Sequence, residues 1–194
     1  MLPRLFASLA ILAAASQALA NDTMAELKTG GLHFVQSADV SMEKEDLFIS
    51  PREIRVAYVF RNNSDKDVTS LVAFPMPDIE GGPDLNIAID DFNVDNFLDF
   101  TVTQAGKPIR PNLQQRALAM DVDQTDILKE MGIPLLPQAE ATTAALKTLS
   151  AAELQELASR GLIQIDEIDA GQGMEKQFTT RWTLKSSYWW KTTF

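Results

Sequence analysis

This sequence predicts a mainly-β fold: an antiparallel β-sandwich-like domain with a short helical insertion at about 122–160. Three observations carry that expectation. Apolar and polar residues alternate over several runs of the chain, turn-forming residues separate those runs, and only the middle changes to helical spacing. Strands, then helices, then strands is the order of an insertion, so residues 21–194 read as a single β-rich domain with the insertion at about 120–162.

Leu32 to Val35, Val40 to Met42 and Leu47 to Ile49 are short strand candidates. The clearest strand follows, with Ile54, Val56, Tyr58 and Phe60 alternating with Arg55, Ala57, Val59 and Arg61. Asn62-Asn63-Ser64-Asp65-Lys66 is turn chemistry, and Val68, Val72 and Phe74 resume the alternation. The two runs are therefore expected to form a hairpin, with Ile54, Val56, Tyr58, Phe60, Val72 and Phe74 in the core. Pro75 and Pro77 end that ladder because neither has an amide proton to donate, and Glu80-Gly81-Gly82-Pro83 reads as a loop. Phe97 to Thr103 alternates again, Gln104-Ala105-Gly106-Lys107 turns, and Pro108 onwards returns as an irregular strand.

From Val122 to Met131 the spacing is helical, with aspartates at the start, Gly132 at the end and Pro134 beyond. Ser150-Ala151-Ala152-Glu153 is a capping box for a helix lined by Leu154 and Leu157, and Gly161 suits its left-handed end. Phe178 to Leu184 and Tyr188 to Phe194 alternate around Lys185-Ser186-Ser187.

The first twenty residues have the three parts of a cleavable export signal. Arg4 is the only charge before Asp22, Leu5 to Ala15 is apolar except for Ser8, and Ala18-Leu19-Ala20 offers small residues at the cleavage positions. The apolar run is well short of the ~20 residues that cross a bilayer, so no integral membrane segment is expected after cleavage. The protein is thus expected to be periplasmic or secreted. Removing Arg4 from the 17 basic residues leaves 16 against 27 acidic, a net charge of −11. That balance argues against nucleic acid as a partner. The absence of cysteine removes disulfides and thiolate chemistry alike.

One histidine, His33, lies between Leu32 and Phe34. Any Ser-His-Asp triad has to use it, but a polar residue on the open face of a strand is its simpler reading, and it is expected to be dispensable. Asp91, Asn93 and Asp95 have the alternate-oxygen spacing that opens a calcium loop. Asn96 then replaces the loop glycine and Val102 the closing glutamate, which leaves these three residues as weak metal candidates. Asp121, Asp123 and Asp126 read instead as acidic residues at the start of a helix. No cofactor is expected, and no catalytic residue stands out among the carboxylates.

Several segments resemble a bacterial exported family known as domain of unknown function 4424. They are Asn21-Asp22-Thr23, Ala25-Glu26-Leu27 with Gly30-Gly31-Leu32, Glu45-Asp46-Leu47 with Ile49-Ser50, and Glu53-Ile54-Arg55-Val56. Asn63-Ser64-Asp65-Lys66-Asp67-Val68 and Phe74-Pro75-Met76-Pro77-Asp78 are the more specific ones, and Ser150 to Leu162 and Tyr188 to Phe194 extend the likeness. The resemblance implies export and a β-rich fold, and carries no activity, cofactor or catalytic residue. Val59 to Ser64, Phe74 to Pro77 and Gly106 to Ile109 are also similar, as a pattern, to vault and inter-alpha-trypsin-type domains.

The sequence therefore favours a non-catalytic binding or interaction module whose partner is an envelope protein or a small ligand. The rival readings are a carboxylate-dependent periplasmic hydrolase and a structural or chaperone-like envelope module. Trp182, Tyr188, Trp189, Trp190 and Phe194 crowd the last thirteen residues. That crowding, with the greater length of the resembling family, leads to the expectation that the chain stops inside the family's final hairpin. Its last strand would then be an unprotected edge with exposed aromatics, open to self-association. Export itself is directly testable: the intact mass of the secreted product should place the N-terminus at Asn21, and recovery of residues 1–20 in the mature protein would exclude a cleaved signal.

Overall fold

The computed structural model describes residues 23–28, 31–35, 38–83, 91, 94–169, 171 and 173–194; the expected signal segment lies outside them. Strands β1 (Thr23–Lys28), β2 (Gly31–Val35), β3 (Val40–Ile49), β4 (Ile54–Asn62), β5 (Thr69–Pro75) and β6 (Ile79–Glu80) come first. Next are β7 (Val102–Gln104), β8 (Lys107–Ile109), β9 (Asn112–Ala119) and β10 (Val122–Asp123). Helices α1 (Thr125–Glu130), α2 (Glu140–Thr148) and α3 (Ala151–Ser159) precede β11 (Ile163–Asp169), β12 (Met174–Thr180) and β13 (Thr183–Thr193). The result is mainly β, antiparallel and sandwich-like, with the helices inside the expected stretch.

The central sheet runs β10-β9-β13-β5-β1-β2, with β6 beside the start of β13. β13 lies inside it: Thr183 to Trp189 pair with β9, and Ser187 to Thr193 pair with β5. Leu184, Ser186, Tyr188, Trp190 and Thr192 alternate onto one face and are all buried. Three further sheets have two strands each, β3-β4, β7-β8 and β11-β12.

Trp182, just before β13, organises the helical side of the core. It is fully buried among Ala117, Ala119, Leu128, Leu146, Leu157 and Leu162. Its indole N–H donates to the Leu135 carbonyl at 2.7 Å, so the polar edge of the ring is satisfied. Ser150 and Glu153 form the expected capping box at α3, and Gly161 takes the left-handed conformation at φ +71°. Helix α2 carries no such signal, because its first flanking residue is Ala139 and no side chain caps it. Tertiary contacts hold it instead: Thr142 is fully buried, donates to the Leu136 carbonyl at 2.8 Å, and lies one turn before the buried Leu146.

Several expectations need correction. β4 does not pair with β5 but with β3, while β5 joins the central sheet. The Asn62 side chain explains the change of direction: it accepts from the Ser64 amide and donates to the carbonyls of Lys66 and Phe194. That turn hands the chain to a different sheet. Of the six expected core residues only Val72 is fully buried; Val56, Tyr58, Phe60 and Phe74 are half-buried, and Ile54 is 70% exposed. Phe97 to Asp99 form a turn closed by Asn96, which bonds both polar groups of the Phe100 backbone, so β7 begins only at Val102. Val122 and Asp123 form β10, and α1 starts at Thr125.

Lys185-Ser186-Ser187 does not interrupt β13, because Ser186 keeps the inward register. Nor is the last strand an exposed edge. It is paired on both sides over its first part, and Tyr188 and Trp190 are buried, which removes the expected aromatic surface for self-association.

Gly81 is where β6 and the start of β13 come closest. Its amide donates to the Trp182 carbonyl at 2.8 Å, and an added Cβ would meet the Thr180 carbonyl oxygen at 2.7 Å and the Trp182 oxygen at 2.9 Å. Backbone atoms cannot swing aside, so Gly81→Ala should cost about 1–3 kcal/mol by overpacking. Trp182→Ala, which empties the helical core, should cost about 3–5 kcal/mol. Chemical denaturation of the mature chain reads both.

Candidate functional site

The residues singled out for chemistry do not converge. His33 lies in β2 opposite Glu26 of β1. Of the calcium candidates, Asp91 and Asp95 are exposed and Asn93 lies outside the described residues. Among the described residues no three acidic or histidine side chains are grouped to hold a metal ion. Asn96, the neighbour of Asp95, faces the core: it accepts from the Tyr188 hydroxyl at 2.8 Å and from the Phe100 amide at 2.8 Å. Phe74, Phe100 and Tyr188 stack in series over the sheet, with centroids 5.0 and 4.6 Å apart. This is a packing device with its polar atoms mutually satisfied.

Asp123 is likewise structural. Burial alone raises its pKa, but the Thr125 hydroxyl and amide and the Arg116 guanidinium, 2.8 Å away, outweigh that and hold the carboxyl below the usual range. The charged carboxylate thus supports the β10–α1 corner above the unfolded pKa, and loses that role as pH falls through the depressed value. Ser186 is different: among the described residues its buried hydroxyl has no hydrogen-bond partner. Its neighbours on the strand face are Leu184 and Tyr188.

The feature that stands apart is the β3-β4 ribbon. Its strands pack chiefly on one another. A four-residue turn, Ser50 to Glu53, joins them, the Ser50 hydroxyl accepting from the Glu53 amide at 3.0 Å. The register puts Met42 beside Phe60, Glu45 beside Tyr58, Leu47 beside Val56, and Ile49 beside Ile54. Partners in register share a face, so seven of these eight side chains make one apolar surface. Among the described residues, six of the twelve exposed large hydrophobic side chains lie on this ribbon. The surface runs from Ile49 and Ile54, 66% and 70% exposed at the tip, to Phe60, which meets the Phe194 ring at 5.6 Å.

The ribbon's other face mixes paired charges with two exposed apolar side chains, Phe48 and Val59. Arg61 reaches Glu43 at 3.1 Å, Lys44 reaches Asp46 at 3.6 Å, and Arg55 lies 5.1 Å from the centre of the Phe48 ring. These exposed pairs add little stability individually, but they leave that face without unmatched charge. Ser50-Pro51 between the apolar runs Leu47 to Ile49 and Ile54 to Phe60 was the sequence signal for this hairpin. The longer polar turn after Asn62 competes with it, and wins on composition.

One side chain near the aromatic stack can be followed directly. Burial, and secondarily the Asp95 charge, raise the Tyr188 phenol above its ordinary value. Its neutral form supports the fold below the unfolded tyrosine pKa, and this support is lost as pH rises through the folded value. Alkaline spectrophotometric titration should therefore show a late-ionising tyrosine phase, and Tyr188→Phe should remove it. The same change, by losing the bond to Asn96, should cost about 0.5–1.5 kcal/mol.

No curated protein and no solved structure matches the chain. The family described as domain of unknown function (DUF4424) matches residues 20–194, which confirms the resemblance read from the sequence. The chain belongs to that family.

Proposed function

We propose that the protein is a non-catalytic interaction module, exported to the periplasm or beyond, that meets its partner through the apolar face of the β3-β4 ribbon. The observation that carries this reading is the row of four exposed large hydrophobic side chains, Met42, Leu47, Ile49 and Ile54, on one ribbon face. Isolated two-stranded hairpins are marginal in water, and stable ones rest their apolar face on something. Here the tip of that face rests on nothing in the described chain, which is the signature of a contact surface. The export signal read in residues 1–20 supports an envelope setting.

Photo-crosslinking in intact cells tests the reading. A photoreactive residue at Leu47 or Ile49 should give discrete adducts, and one at the exposed Glu156 of α3 should not. Absence of adducts at the ribbon sinks the proposal. So does turnover on a panel of ester, peptide and glycoside substrates that survives Ile54→Asp and disappears on substitution of a carboxylate, which is the outcome a hydrolase gives.

A further inference from the structure

Resting on the reading of the ribbon as a contact surface, we infer that its occupant is the same face of a second copy of this chain, packed antiparallel about a two-fold axis. Three observations lead there, and charge is the first. Between Val40 and Asn62 there are four basic residues, Lys44, Arg52, Arg55 and Arg61, and four acidic ones, Glu43, Glu45, Asp46 and Glu53. The ribbon is therefore neutral, and the whole net charge of −10 lies outside it. Two copies of an acidic chain can meet at this neutral face with less repulsion than at the surfaces that carry the acidic excess.

Direction follows from the same charge. A parallel pairing, tip on tip, brings the two acidic bodies side by side. An antiparallel pairing keeps them apart by about the length of a nine-residue strand, roughly 30 Å, which exceeds a Debye length of about 8 Å several-fold.

Shape is the second observation. The face is aliphatic at its tip, with Leu47, Ile49, Ile54 and Val56, and aromatic towards its base, with Tyr58 and Phe60. Antiparallel stacking lays Ile54 on the partner's Phe60, Val56 on the partner's Tyr58, and Ile49 on the partner's Met42. Glu45, the one charge on the face, then falls opposite the partner's Leu47 and not opposite another carboxylate. The third observation concerns the alternative of edge pairing. β3 carries a bulge between Met42 and Lys44 and three carboxylates, which guard its edge against strand addition. The face carries a single carboxylate, Glu45.

Size sets the strength. Two strands about 10 Å wide and 30 Å long present roughly 300 Å² each, so a pair removes on the order of 600–700 Å² before the rims are counted. That is below the ~1,200 Å² of a stable interface, which makes the dimer concentration-dependent and not obligate.

The test uses the purified mature chain. Sedimentation velocity over the micromolar to submillimolar range should show a monomer–dimer equilibrium. Leu47→Asp or Ile54→Asp should weaken it by at least about tenfold. Val59→Asp, on the ribbon's other face, should leave it intact. Because the chain has no cysteine, geometry can be read by oxidative crosslinking. Met42→Cys combined with Ile49→Cys should give covalent dimer, and Ile49→Cys alone should not.

A chain that stays monomeric at every concentration overturns the second-copy inference. So does a dimer indifferent to Ile54→Asp, or one crosslinked equally by Ile49→Cys alone. The broader reading fails separately: a monomer whose ribbon still forms photo-adducts with another protein keeps the contact surface and loses only its occupant.

Discussion

β13 and its flanking residues form one extended segment on which three otherwise separate parts of the protein depend. At its start Trp182 fills the helical core and spends its indole N–H on the Leu135 carbonyl. Along its length it pairs with β9, β5 and β6. At its end Phe194 exchanges two backbone hydrogen bonds with Val68, accepts from the Asn62 side chain, and presents its ring to Phe60 at the ribbon base. The sheet, the helical insertion and the ribbon are therefore joined through a run of residues only thirteen long, which explains why all three tryptophans lie there. Large rings bury the most apolar area per residue, and they sit where several elements must be held at once.

That constraint also shapes the polar chemistry. Buried hydroxyls and amides near β13 are almost all used to fix the layers above the sheet: Tyr188 to Asn96, Thr192 to Gln104 at 2.7 Å, and Thr180 to the Pro137 carbonyl. Each of these bonds spans more than forty residues of sequence, so each pins a loop and not a local turn. Ser186 is the exception, and a single unpartnered hydroxyl costs about 1–3 kcal/mol.

Local chemistry was legible where it is local. The capping box at Ser150, the left-handed Gly161 and the Gln104-to-Lys107 turn depend on neighbours in sequence, and the structure reproduces them. Pairing was not legible, because a period of two states which side chains share a face and says nothing about which strand lies alongside. β4 and β5 flank an obvious turn, yet Asn62 bonds to the far end of the chain, and that interaction leaves no trace in the intervening residues. Helix α2 was missed for the same reason, since Thr142 and Leu146 hold it from the tertiary side.

The most consequential error and the proposed contact surface involve the same residues. Ile54, Val56, Tyr58 and Phe60 were expected in the core because their alternation demands an apolar environment on one side. That demand is physical and does not disappear when the domain fails to meet it. The protein's own core takes Val72 and the even-numbered residues of β13, leaving Met42, Leu47, Ile49 and Ile54 more than 45% exposed in a chain that is otherwise strongly acidic. A strand pattern written for burial but left in water is a local preference that the isolated fold contradicts, and such contradictions concentrate where a protein meets something else. Charge is compatible with this placement, since the ribbon carries four basic and four acidic residues and so no net charge. Hydrophobic periodicity therefore identified which side chains share a face; what it could not supply was whether the domain's own core covers that face.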